Sequence, residues 1–273
     1  MKSDFKNTYF TDYATRSEFF TRFNEGLKER MGREIKGDIP LDYRILHEIL
    51  FKLKRELLDS ETTFERRRWV ALVGCVFTLT FVLALRGNEA LMLDLKGLIN
   101  YFQQGQQDTT PHMVVPLLGK FKGEDYTRYH LLLVPNKSDS GFHPRMWAEW
   151  LIAAKASEGI TEGPAFSDQE GYVLTQQKFN DELLEQLQWA KDTHPLLFSA
   201  DMDLDRIKVS RSFRKGSTSR AQDLDLSQQV IDANNRWRAF DQAKGSRPHL
   251  NLRDHYSSVR LMANKSLKYP QAM

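Results

Sequence analysis

Residues 209–220 read VSRSFRKGSTSR, a run in which arginine and lysine alternate with serine, threonine and glycine. A charge run is ordinarily a solvated face. Here the small hydroxyl residues and the glycine let a backbone come close to a phosphate, so the stretch reads as a phosphate contact. The whole chain says less: 39 Lys and Arg against 36 Asp and Glu leave a formal net charge of +3, which is only mildly basic. Binding to nucleic acid therefore has to rest on local clusters, of which ERRR at 65–68 is a second.

Upstream, WVALVGCVFTLTFVLAL at 69–85 is apolar all round and predicts a buried core helix that delivers Arg86 at its end, with Gly87 and Asn88 reading as the helix stop. The run is shorter than the ~20 residues a bilayer span needs and contains glycine and threonine. No membrane partner is expected. Before it, Ile45, Ile49, Leu53 and Leu57, with Leu46 and Leu50 alongside, recur at the spacing of one face of an amphipathic helix. After Leu98 the texture changes: INYF, HMVVPLL and YHLLLVP suggest short strands around the turn-rich KFKGED. Helical patterns resume at PRMWAEWLIAAKA and at TQQKFNDELLEQLQWAKD, where Phe179, Leu183, Leu184 and Leu187 mark an apolar face. The expected fold is α+β, mainly α, with one small three-stranded antiparallel sheet. Residues 1–36 read as an extension or the end of a preceding domain, and 37–273 as one domain of enzyme size.

The single cysteine, Cys75, excludes an internal disulfide framework and a cysteine-rich zinc site, and its apolar setting makes it a small core residue rather than a nucleophile. The N-terminal residues lack the layout of a signal peptide. An intracellular protein is expected, nuclear if the source is eukaryotic. DMDLDR at 201–206 begins like a calcium loop but has neither the glycine at the sixth position nor the glutamate at the twelfth. It reads as an acidic loop.

Taken in order, LALRGNEALMLDL, GKFKGE, VSRSFRKGSTSR, NRWR and RDHY resemble the boxes of the catalytic domain of tyrosine recombinases and phage-type integrases, over residues 40–256. The wording ALRGNEALML, SFRKGS, NRWR and DHYS looks more like the Crypton and DIRS mobile-element enzymes than the bacterial Xer proteins. The resemblance implies a DNA recombinase or transposase-type integrase acting on duplex DNA without metal, nucleotide or other cofactor. A tyrosine hydroxyl attacks a phosphodiester, leaving a 3′-phosphotyrosyl link and a free 5′-hydroxyl, and religation joins a different strand. Self-association into a tetramer on DNA is implied too.

Residue by residue, the resemblance places Arg86 and Arg214 as the clamp on the scissile phosphate. The chemistry calls for guanidinium groups, which hold non-bridging oxygens bidentately and stay charged at any working pH. Glu89, one turn on from Arg86, is placed to orient it. Lys120 corresponds to the hairpin lysine that protonates the departing 5′-oxygen, with Lys122 as a competitor. Arg211 stands where the family most often has histidine; it can hold a phosphate but cannot relay a proton. Trp237 matches the position whose indole N–H bonds a phosphate oxygen. Tyr256, beside Arg253 and His255, is the first candidate nucleophile and Tyr269 the second. Arg211 and the wide spacing to Tyr256 leave a second function open, a DNA-binding protein derived from such an enzyme that no longer cleaves. A type IB topoisomerase shares the chemistry, but its linker region is not apparent.

Overall fold

The computed structural model describes residues 38–104, 112–121, 126–235 and 269–273; the expected extension at 1–36 lies outside them. Its centre is the apolar run. Helix α2 (Phe64–Val82) is buried at every residue from Val70 to Val82, because the run presents no polar face and neighbours cover it on all sides. Helix α1 (Tyr43–Leu58) starts where the Asp42 carboxylate accepts the Arg44 amide at 2.8 Å, and it buries Ile45, Leu46, Ile49, Leu50 and Leu53, the face its spacing predicts. Helices α5 (Pro144–Ser157) and α7 (Ser212–Asp223) pack on other sides of α2, and α6 (Gln176–Thr193) packs on α1. Among the described residues no helix is long and apolar enough to cross a membrane. Burial pushes the Cys75 thiol far up, in keeping with an inert core residue.

Helix α2 ends earlier than Gly87. The Ala84 amide bonds to the Phe81 carbonyl at 3.1 Å and the Leu85 amide to that of Thr80 at 2.9 Å, with Ala84 at φ 47. This pair of bonds is a Schellman stop, built here on an alanine in the left-handed region that glycine takes more easily. Gly87 and Asn88 do not stop a helix; they begin the single turn α3 (Gly87–Ala90), for which Arg86 is the N-cap.

INYF is not a strand. It lies inside helix α4 (Leu95–Gln104), whose apolar Leu95, Leu98, Ile99 and Phe102 follow helical spacing, and the Asp94 carboxylate accepts the Gly97 amide at 2.9 Å to cap it. The sheet among the described residues therefore has two strands, not three: β1 (His112–Gly119) pairs antiparallel with β2 (Arg128–Pro135), with Leu117 opposite His130 and Gly119 opposite Arg128. A remnant of a third strand runs beside β1. The Leu118 amide reaches the Met92 carbonyl at 2.7 Å and the Asp94 amide that of Pro116 at 2.9 Å, a single bridge at Leu93. It cannot extend, because Pro116 has no N–H to return to the Asp94 carbonyl, which accepts the Leu98 amide of α4 instead.

The helical reading of 176–193 holds, but its buried face differs by one position. Leu184 is 36% exposed, while Glu182 and Gln186 are buried beside Phe179, Leu183 and Leu187. Ion pairing explains this. The Glu182 carboxylate accepts from Arg66 at 2.7 Å, from the Trp69 indole at 2.7 Å and from Gln186 at 2.7 Å, and Arg66 also pairs with Glu56 at 2.5 Å. Burial alone would raise the Glu182 pKa, but the hydrogen bonds of Arg66 and Trp69 and the Arg66 charge outweigh it and hold the carboxyl below its ordinary range. Three helices are tied at this point. Two 3-10 turns (Pro195–Leu197 and Leu204–Arg206) precede α7, helix α8 (Gln228–Asn235) follows it, and residues 269–272 form one helical turn packed on the same domain, with Tyr269 and Met273 buried.

Candidate functional site

Helix α7 sorts the basic stretch into two faces. Phe213, Gly216, Ser217 and Ala221 are buried, Phe213 against Phe77 with ring centroids 5.2 Å apart. Arg211, Arg214, Lys215 and Thr218, at helical spacing on the other side, line a cavity of about 880 Å³. Gly216 is required for this placement: a Cβ there would lie 1.9 Å from the Leu41 carbonyl oxygen, which is fixed backbone. Close approach lets the segment 38–41 run along the start of α7, where the Leu41 amide bonds to the Ser212 carbonyl and the Ile39 amide to that of Arg206, each at 3.0 Å.

Arg86 enters the same cavity from the turn after α2. Its backbone N–H and its Nη1 both donate to the Glu89 carboxylate, at 2.8 and 2.9 Å. Glu89 is 3% exposed, so the predicted orienting pair exists, with its anion buried. Gly87, the next residue, is wedged between two other segments. A Cβ there would come within 2.9 Å of the Ser210 Cα and 3.1 Å of the Gln176 amide. Three distant stretches meet at that glycine.

Lys120 comes from the end of β1 and is exposed at the cavity's edge. The His130 and Phe121 rings stack with centroids 3.8 Å apart, and the His130 Nε2 lies 3.3 Å from the Gly119 carbonyl, which an Nε2–H tautomer satisfies.

Arg214 is the most buried of the five cations, 9% exposed, and its Nη2 donates to the Asn235 carbonyl at the end of α8. Asn235 in turn donates to Thr218 Oγ1 at 3.2 Å and to the Ile231 carbonyl at 3.0 Å. Arg211 is exposed, with 78% of its side chain in solvent and its Nη1 3.5 Å from the Asp38 carboxylate. Lys215 donates to the Asp38 carbonyl at 2.7 Å.

Thus Arg86, Lys120, Arg211 and Arg214 line one cavity. Lys122, Trp237 and Tyr256 lie outside the described residues. Tyr269 is 1% exposed and shares a 2.8 Å hydrogen bond with the Ser217 hydroxyl. Burial raises its pKa against the opposing effect of the Ser217 and Thr218 hydroxyls and the Arg214 charge. Sequence reasoning missed Lys215, Thr218, Gln176 and Asp38. Lys215 and Thr218 were within reach of it, four and seven positions after Arg211 on one helix. Gln176 and Asp38 carry no local signal.

Chemically, the cavity presents three guanidinium groups and two ammonium groups, with the Glu89 carboxylate paired to Arg86 and the Asp38 carboxylate beside Arg211. That arrangement suits a phosphate or another oxyanion. Among the described residues no group of His, Cys, Asp and Glu is placed to hold a metal ion.

No family model matches the chain, and no curated protein does. Among solved structures it is similar to the XerH site-specific recombinase bound to palindromic difH substrate in a post-cleavage complex, at 15% identity and a TM-score of 0.45, over 69% of this chain and 44% of that one. The chain thus spans less than half the length of that protein.

Proposed function

We propose that this chain is a tyrosine recombinase or transposase-type integrase, cleaving and rejoining duplex DNA through a 3′-phosphotyrosyl intermediate. The observation that carries the reading is the meeting of Arg86, Lys120, Arg211 and Arg214 in one cavity from three separate stretches of sequence. The four were selected by motif alone, and spacing accounts only for Arg211 meeting Arg214 on one helix, not for their convergence with Arg86 and Lys120.

In this reading Arg86 and Arg214 hold the two non-bridging oxygens of the scissile phosphate. The Tyr256 oxygen attacks phosphorus in line, the bond to the 5′-oxygen breaks, and Lys120 gives that oxygen a proton. Arg211 holds the phosphate but stays charged, so the phenol's proton passes to solvent. Tyr269 is a structural anchor, since its hydroxyl is buried and engaged with Ser217. The enzyme works as a tetramer on paired duplexes, as the resemblance implies.

A duplex selected from a random library for binding to the full chain, carrying a nick that lets the cleaved fragment diffuse away, tests this. A covalent adduct mapped by mass spectrometry to the Tyr256 peptide supports it. An adduct on Tyr269 keeps the chemistry and reassigns the nucleophile. Tight binding with no adduct favours the second reading, a DNA-binding protein that no longer cleaves, for which the observation is Arg211 paired with Asp38 where the family most often has histidine.

A further inference from the structure

Gln176 is the first residue of α6, following the N-cap Thr175 at φ −80 and ψ 151. It is half-buried and lines the same cavity as Arg86 and Arg214. Its carboxamide lies beside Gly87, so close that a Cβ on that residue would be 3.1 Å from the Gln176 Nε2. A Cβ at residue 87 would press on this amide, and the contact sets it beside the residue that follows Arg86. The neighbouring Gln177 is tied to Asp181 at 2.6 Å, whereas the Gln176 side chain makes no hydrogen bond to any described residue. A half-buried primary amide with two N–H donors, packed in place and turned to a cavity walled by cations, is suited to an anionic acceptor.

We infer that Gln176 is a further phosphate-binding residue, donating through its Nε2 to the phosphate that Arg86 and Arg214 hold. The inference rests on the phosphodiester reading above and adds to it a neutral donor from a different element. A neutral donor has a distinct use: it fixes the orientation of the phosphate without adding charge, so it tightens geometry while leaving the salt dependence of binding unchanged.

The test is a phosphate-by-phosphate scan of affinity. The probe is the library-selected duplex, prepared with an uncharged methylphosphonate at each phosphate in turn, measured with the full chain and with Gln176→Met, Gln176→Glu and Arg214→Ala. Met keeps the length and the packing on Gly87 but cannot donate; Glu keeps the shape and repels. On the unmodified duplex Gln176→Met is expected to bind roughly ten- to a hundredfold more weakly, the size of one hydrogen bond to a charged group, with an unchanged slope of affinity against salt. Gln176→Glu is expected to lose more. For both, the loss disappears at one methylphosphonate position, the one at which the Arg214→Ala loss also shrinks. A Gln176→Met loss that is absent, equal at every position, or relieved at a different phosphate from that of Arg214 overturns the inference. Adduct formation measured on the same duplexes judges cleavage separately, and failure of any duplex to bind overturns both readings together.

Discussion

Glu89→Gln changes one buried carboxylate that touches no substrate in the proposed reaction, and its effect can be worked from two contacts. The carboxylate accepts from the Arg86 backbone N–H at 2.8 Å and from the Arg86 Nη1 at 2.9 Å. A glutamine has one acceptor oxygen. The backbone N–H is fixed by the turn and keeps it, so the new NH₂ faces the guanidinium, donor against donor. A hydrogen bond to a charged group contributes about 1.5–3 kcal/mol. The Arg86 side chain is 38% exposed, so solvent screening reduces the orienting contribution to about 1–2 kcal/mol. In the rate of adduct formation that is roughly five- to thirtyfold. Affinity for duplex DNA should stay the same or rise, because Arg86 keeps its charge and a nearby anion is lost. The assay is single-turnover adduct formation on the nicked duplex beside an equilibrium binding curve. A rate within twofold of the parent chain would refute the view that Glu89 aims Arg86, and a parallel loss of affinity would show that it only supports the fold.

Arg214→Lys keeps a positive charge but loses the fork and the bond to the Asn235 carbonyl; adduct formation should fall about a hundred- to a thousandfold with affinity changed only a few-fold, read by the same two assays. Gly216→Ala drives a methyl to 1.9 Å from the Leu41 oxygen, so α7 must separate from 38–41, lowering stability by about 2–4 kcal/mol in urea denaturation and speeding exchange of the Leu41 amide. Glu182→Gln should cost about 2–3 kcal/mol at neutral pH, since it leaves Arg66 with Glu56 alone. Because the folded Glu182 pKa lies below its ordinary 4.5, that contribution is complete above about pH 4.5 and is lost as pH falls through the folded value, so urea midpoints of parent and variant should converge in acid.

Much of the domain was legible because its signals are local. The spacing of Ile45, Ile49 and Leu53 specifies an amphipathic helix whatever packs on it, and a run with no polar face from Val70 to Val82 can only be interior. Arg86, Lys120, Arg211 and Arg214 could be named beforehand because they sit in recognisable wording, and the fold brings them to one cavity. The misreadings came from contacts at long range. INYF has strand-forming residues, yet Asp94 caps a helix over it and Pro116 denies the sheet a third ladder, a conflict settled only when 94 and 116 are side by side. Leu184 lost its place on the buried face because Arg66 and Trp69, more than a hundred residues earlier, supply Glu182 with partners that make its burial favourable.

The sequence by itself determined which reactive groups this chain carries, since residue type decides formal charge and donor count before any folding. Tertiary structure alone decided who stands beside whom. Gly87 touching Ser210 and Gln176, Gly216 touching Leu41, and Asp38 facing Arg211 and Lys215 are close approaches between segments far apart in the chain. No local propensity encodes them, because each exists only once helices anchored by a shared apolar core fix the distance between their backbones.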